Sequence, residues 1–191
     1  MPPPAFERKI LAPADAARWA ARLARPLVFT NGVFDILHRG HVTYLARARS
    51  LGAALLVALN GDGSVRRLGK GPGRPVNALE DRLALVAALE SVDAVTWFDE
   101  DTPAALITAC RPELLVKGGD WPVARIVGAS EVLARGGAVH SISFEHQRST
   151  TALLRRVGAI ARATTRKKVR LASAAASKRP GARSRARRKG R

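Results

Sequence analysis

The chain has 191 residues, 47% of them hydrophobic, which is enough for one domain with a full core, and a net charge of +18. Its only cysteine, Cys110, excludes a disulfide framework and a cysteine metal cluster, and reads as a small buried hydrophobe late in a helix. No apolar run is long enough to span a bilayer, and the opening MPPPAFERK lacks the apolar core of a signal peptide, so a cytoplasmic protein rather than an integral membrane one is expected. Met1 to Phe6 is proline-rich and expected to be loose. Pro13 to Ala24 is expected as a helix, with Pro13 in its first turn and Ala17, Ala20, Ala21 and Ala24 as a small-residue face beside Trp19. Pro26 to Thr30 is a short apolar run entering a turn at Asn31-Gly32, the pattern of a buried strand. His41 to Ser50 carries Val42, Leu45, Ala46 and Arg49 at helical spacing ahead of a stop at Gly52.

Between that strand and that helix sit His38, Arg39, Gly40 and His41. A strand, a glycine-containing turn and a helix start form an anion site, because the first N–H groups of a helix lack internal partners and point outward. Two imidazoles three residues apart can both face one phosphate chain, and Gly40 lets that chain approach the backbone. An α-phosphate under attack gathers charge on its oxygens, and donors fixed around it in advance lower the barrier. His38 and His41 are the candidate donors. A lone histidine would merely fill a turn; the pair in this context favours phosphate chemistry.

Ala54 to Leu59 is a second buried strand. Asn60 to Pro75 is expected as a long irregular loop, with Arg66, Arg67, Lys70 and Arg74 among five glycines. By composition alone, such a loop wraps phosphates or is simply solvated, with equal weight. Asn77 is expected to cap a helix to about Glu90 that buries Leu83 and Val86. Ala94 to Phe98 is a third strand. Asp99, Glu100 and Asp101 are an acidic lead-in to a helix from Thr102-Pro103 to Cys110, rather than paired carboxylates for acid–base work. Glu113 to Val116 is a fourth strand running into Lys117-Gly118-Gly119-Asp120-Trp121, where an open parallel sheet binds ligands. Trp121 either flanks a base or sugar or packs on a helix. A helix over Arg125 to Arg135, a fifth strand over Val139 to Phe144 and a helix from Ser149-Thr150-Thr151 through Arg156 follow. Hydroxyls and free N–H groups at that last start make a second phosphate-binding helix terminus. His146 enters a pocket or is a loop residue.

Strands alternating with helices imply an α/β fold, a doubly wound five-stranded parallel sheet in the order 3-2-1-4-5, with the central motif at the switch point. Thirteen Lys or Arg and no acid lie in residues 162–191. One folded domain over 1–161 and a basic, disordered tail without an apolar stripe over 162–191 are therefore expected. Such a tail attracts nucleic acid or anionic lipid non-specifically, without the aromatics that stack bases.

The segment HRGH after FTNGVFD resembles the HxGH signature of a nucleotidyltransferase superfamily. TNGVFDILHRGHVTYLARARSLG, LNGDGSVRRLGKGPGRPVNALEDR, DEDTPAALI, LLVKGGDW and STTALLR, in that order, resemble the adenylyltransferases of ADP-heptose synthesis over about Arg8 to Val157. The resemblance implies a Rossmann-like nucleotidyltransferase fold. It implies transfer of AMP from ATP to D-glycero-β-D-manno-heptose 1-phosphate, releasing pyrophosphate, for lipopolysaccharide core precursors. His38 and His41 would be catalytic. Thr30, Asn31, Gly32, Phe34, Gly40, Lys70, Arg74, Arg82, Lys117, Gly119, Asp120, Ser149, Thr150 and Thr151 would hold nucleotide or phosphates. Mg²⁺ would ride on the triphosphate, held by phosphate oxygens and water, with no protein metal site. Asp62 falls on an acidic position of that family, which implies loop organisation, a ribose contact or, without support in this sequence, Mg²⁺ binding. A separate sugar kinase would supply the substrate, and oligomeric state, homo-oligomer included, stays open. Two alternatives remain: a glycerol-3-phosphate-type cytidylyltransferase, and a nucleic-acid-binding protein acting through its tail. An aminoacyl-tRNA synthetase is excluded by the short chain and the lack of a KMSKS-like loop.

Overall fold

A computed structural model describes residues 2–69, 71, 73–145 and 150–177, with backbone alone at 167 and 169–177. Five strands, β1 (Leu27–Gly32), β2 (Ala54–Asn60), β3 (Ala94–Phe98), β4 (Leu114–Gly118) and β5 (Ala138–Ile142), form one sheet in the order β3-β2-β1-β4-β5. Every pairing is parallel, with Leu27 opposite Ala54 and Val28 opposite Leu114. β2 is buried along its whole length. That is why ALLVAL is a continuous apolar run rather than an alternating one: helices cover both faces of a parallel sheet.

Six of the helices are α1 (Pro13–Ala20), α2 (Arg39–Arg49), α3 (Asp62–Arg67), α4 (Leu79–Ala87), α5 (Ala104–Cys110) and α6 (Ala129–Ala134). Successive residues of each strand feed two separate cores. Leu27, Phe29, Leu56 and Leu115 pack with Ala16, Ala20, Ile107, Cys110 and Val132 from α1, α5 and α6. Val28, Leu55, Val57, Val95 and Val116 pack with Leu45, Ala48, Leu83 and Val86 from α2 and α4. Each fully buried Leu or Val stabilises the fold by about 1.5–3 kcal/mol in transfer terms. Cys110 is 2% exposed, and burial pushes its thiol up to about 11, so it serves as the small core residue expected.

Three local expectations are corrected. The first helix ends at Ala20 because Arg22 N–H bonds Trp19 O at 2.9 Å, a tightened last turn before Pro26 demands extended backbone. The supposed loop after β2 contains α3, whose Val65 is fully buried; the glycines around it hid that anchor. Asn77 does not cap α4, where Ala78 stands at the N-cap without a side-chain bond; its amide donates instead to Asp35 O at 2.6 Å.

The chain divides into two units, Met1–Thr150 and Thr151–Arg191. A seventh helix, α7 (Thr150–Ser177), carries the last described residues. It passes straight through the boundary expected at 161/162 and corrects the expectation of disorder for 162–177. Alanines with Lys and Arg are strong helix formers; Leu153, Val157 and Ile160, which recur at helical spacing, lie on the same helix ahead of the basic tail. The rest of the basic tail, 178–191, lies outside the described residues.

Candidate active site

β1 ends at Gly32 and α2 begins at Arg39, so the HRGH segment is the mouth of a helix at the carboxyl end of the central strand. His38 is the N-cap, with extended backbone, and its carbonyl accepts from His41 N–H at 2.9 Å. The His41 ring stacks on His38 with centroids 3.8 Å apart and planes 16° from parallel. Phe34 meets His41 edge-on at 5.2 Å, and Phe144 does so at 6.3 Å. Both imidazoles bury their Nδ1 atoms. The two rings are therefore held in a fixed aromatic frame before any ligand arrives.

Two glycines make room for that frame. Phe34 has φ 46°, a left-handed conformation rarely taken by an aromatic residue. This turn folds its ring back over Gly32, where an added Cβ would lie 2.9 Å from Phe34 Cε2. Across the sheet, a Cβ on Gly118 would lie 2.6 Å from Phe144 Cζ. These are close-approach glycines, needed for the ring positions on both sides of His41.

A cleft of about 560 Å³ opens over these residues, lined among others by Asn31, Gly32, Phe34, His41, Tyr44, Asn60, Lys117 and Phe144. Lys117 Nζ donates to Asn31 Oδ1 at 3.1 Å, tying the end of β4 to the end of β1 at the topological switch point. Tyr44 is 4% exposed, exchanges a 2.6 Å hydrogen bond with Thr30 Oγ1 and donates to Val116 O at 3.2 Å. Burial drives its phenol well above the usual tyrosine range, with the Thr30 bond opposing, so it stays neutral at working pH. Trp121, Thr102 and Arg125 complete the far wall. A second recess of about 490 Å³ is lined by Asp62, Arg66, Gly71, Gly73, Arg74 and Pro75.

Arg82 corrects the expectation that it reaches phosphates. Its side chain is fully buried. Nη1 donates to Val33 O at 2.7 Å and Asn60 O at 2.8 Å, Nε to Asn77 O at 3.1 Å, and Nη2 to Asp62 Oδ1 at 2.6 Å. The guanidinium fork satisfies carbonyls at the ends of β1 and β2, a structural duty its helix position concealed. Asp62 accordingly takes the loop-organising role. Arg74 lines the recess yet pairs with Asp35 at 2.6 Å, where both side chains are nearly buried. Its charge thus faces a carboxylate as well as the open space.

Of the other expected site residues, Asn31, Gly32, Phe34, His41 and Lys117 line the cleft, His38 stacks behind His41, and Gly40 is buried in the first turn of α2. Thr30 is a correction: it is fully buried and holds Tyr44 instead of facing the cleft. Gly118, rather than Gly119, lines the cleft. Asp120 also stays off the wall, accepting from the Ser143 hydroxyl. Thr150 opens α7 and Thr151 begins the second unit. Lys70, Ser149 and His146 lie outside the described residues. Sequence reasoning missed Tyr44, Asn60, Asp35 and Phe144. Only Tyr44, one helical turn after His41 and so near its face, carried a readable signal.

Among the described residues no three His, Cys, Asp or Glu side chains gather as a metal cluster. Of the described residues, the cleft carries Lys117, Arg125, His41, Asn31 and Asn60 beside the single carboxylate of Asp101, a mainly cationic and neutral donor set suited to phosphate.

A family model described as Cytidylyltransferase-like matches residues 29–157. The chain is 59% identical over 154 residues to the D-beta-D-heptose 1-phosphate adenylyltransferase of Bordetella bronchiseptica, covering 80% of this chain and 95% of that one. It is 54% identical over 138 residues to the Bifunctional protein HldE of Citrobacter koseri, spanning 72% of this chain but only 29% of that longer protein. The crystal structure of the lipopolysaccharide core biosynthesis protein from Thermoplasma volcanium superposes with a TM-score of 0.52 at 29% identity, over 64% of this chain and 98% of that one. With the paired imidazoles at a helix mouth, the five-stranded parallel order and these matches together, the chain belongs to the cytidylyltransferase-like nucleotidyltransferases and, among them, to the heptose 1-phosphate adenylyltransferases.

Proposed function

We propose that this protein transfers AMP from ATP to D-glycero-β-D-manno-heptose 1-phosphate, giving ADP-heptose and pyrophosphate for lipopolysaccharide core synthesis. The observation that carries the reading is the stacked His38–His41 pair at the mouth of α2, with His41 on the wall of a cleft that also holds Lys117. Identity of 59% to a protein bearing that activity's name supports the choice of substrate.

The sugar phosphate carries its negative oxygen already at neutral pH. That oxygen attacks the α-phosphorus of ATP in line, and the bond from this phosphorus to the α–β bridging oxygen breaks. The electron pair leaves with pyrophosphate. No proton need be removed, so no general base is required. His41, backed by His38, donates to the oxygens on which charge grows. Donors already in place cost no reorganisation as that charge develops. Lys117, held by Asn31, neutralises phosphate charge at the end of β4. Mg²⁺ bound to the triphosphate would supply charge neutralisation, with phosphate oxygens and water as its ligands. The reaction needs ATP, so its proposed setting is the cytoplasm, and a kinase acting at the sugar's C1 hydroxyl must supply the acceptor.

The test measures pyrophosphate release with ATP or CTP against heptose 1-phosphate and glycerol 3-phosphate. ATP with heptose 1-phosphate is expected to be the fastest pair. A preference for CTP with glycerol 3-phosphate would move the protein to the alcohol-phosphate cytidylyltransferases. His41→Ala should lower kcat by about 10²–10³-fold while ATP affinity changes only by about threefold or less. Equal losses in both would contradict a role confined to the transition state.

A further inference from the structure

α7 has a feature that nucleotidyl transfer does not use. Along this helix Leu153, Val157 and Ile160 are spaced four and three residues apart and are 40%, 55% and 60% exposed. Arg155, Arg162 and Arg166, all exposed, fall roughly half a helical turn away from that stripe. A water-exposed apolar stripe on a helix is unfavourable unless something covers it, and the charge on the rest of the helix states the chemistry of the cover. No Asp or Glu occurs after Glu145, whereas Lys and Arg continue to the final residue.

Three occupants compete. Self-pairing through this stripe would bring Arg156 and Lys168, the exposed cations on its two flanks, against their copies with no acid in the segment to offset them. Nucleic acid would satisfy the charge and leave the stripe in water, and no Phe, Tyr or Trp follows Phe144 to stack on bases. An anionic bilayer surface satisfies both faces at once: the aliphatic stripe enters the acyl boundary and the arginines stay level with the headgroup phosphates. Among the described residues no helix is long and apolar enough to cross a membrane, so the helix would lie on the surface rather than span it.

We propose that α7 is an in-plane anchor that docks the protein on anionic phospholipid bilayers. Three modest aliphatic residues set a weak, reversible attachment that needs both the apolar stripe and the charge.

The test is co-sedimentation of the full chain with vesicles of phosphatidylcholine alone or with phosphatidylglycerol. Binding is expected only with phosphatidylglycerol, and should fall by about tenfold or more between low and physiological salt as the charges are screened. The double variant Val157→Asp, Ile160→Asp should lose binding by about tenfold or more, and Arg162→Glu, Arg166→Glu should lose it comparably. Both variants should keep pyrophosphate release, which shows that the enzyme unit is folded. Vesicle binding that survives the aspartate pair would overturn the proposal in favour of diffuse charge attraction. So would absence of binding to phosphatidylglycerol vesicles, or equal binding to neutral ones. If the aspartate pair instead turned a dimer into a monomer in light scattering, a second copy would be the occupant. If an oligonucleotide bound the full chain and the aspartate pair equally, with no vesicle binding, the partner would be nucleic acid.

Discussion

Arg82 and Asp62 form the single-residue interaction on which the mouth of the cleft depends. A guanidinium with no exposed surface gathers Val33 O, Asn60 O, Asn77 O and the Asp62 carboxylate. Removing one partner of a buried charged pair leaves the other partner and the carbonyls unsatisfied, so Arg82→Ala should destabilise the protein by about 3–5 kcal/mol in urea unfolding. Lysine at this position should recover only part of the loss, because one ammonium does not reproduce a planar fork. If Arg82→Ala left unfolding unchanged and weakened ATP binding alone, the residue would be a phosphate ligand after all. Phe34 works at the same scale: its left-handed backbone is tolerated because the ring it delivers packs against His41 over a glycine.

The segment around residues 73–78, which lines the second recess, is latched to the connection between β1 and α2. Asp35 Oδ1 accepts from Val76 N–H at 2.8 Å and Asn77 N–H at 3.0 Å, its other oxygen pairs with Arg74, and its backbone carbonyl takes the Asn77 amide. One nearly buried carboxylate therefore sets where residues 74–77 lie relative to the connection between β1 and α2. Asp35→Ala should release that segment without dissolving the sheet. Amide exchange in peptides covering 73–78 is expected to rise by about tenfold or more, while strand amides of β1 and β2 stay protected. Unchanged exchange there would show that the segment is held by something other than this latch.

At the scale of the whole molecule, the described cleft is built entirely within the first unit, from residues between Asn31 and Phe144. A chain ending at residue 161 keeps all of those residues together with Thr150 and Thr151. Its kcat/KM for pyrophosphate release should stay within about threefold of the full chain, since the deletion removes none of the residues that line the cleft. A loss beyond about tenfold would bring the distal half of α7 into the catalytic cycle. The same variant lacks Arg162 and Arg166, so catalysis and surface docking separate cleanly in one molecule.

Much of this architecture was legible from local pattern alone. Apolar runs such as ALLVAL, separated by helical spacings, pointed to five strands, and a doubly wound sheet in the order 3-2-1-4-5 puts HRGH at the switch point. His38, His41 and Lys117 were readable for the same reason: their chemistry sits beside a strand end and a glycine. What only the tertiary structure decided was which charged groups remain available. Arg82 looks like a surface cation on α4 until residues 22 and 49 positions earlier supply its acceptors. Thr30 looks like part of a nucleotide turn until Tyr44, 14 residues on, takes its hydroxyl. The stripe on α7 is hidden by a composition dominated by arginine and alanine and emerges only when the backbone winds those residues onto one face. Sequence periodicity records whether a side chain faces inward. Pairing across long separations depends on where the folded chain brings two groups together, and no local pattern encodes that.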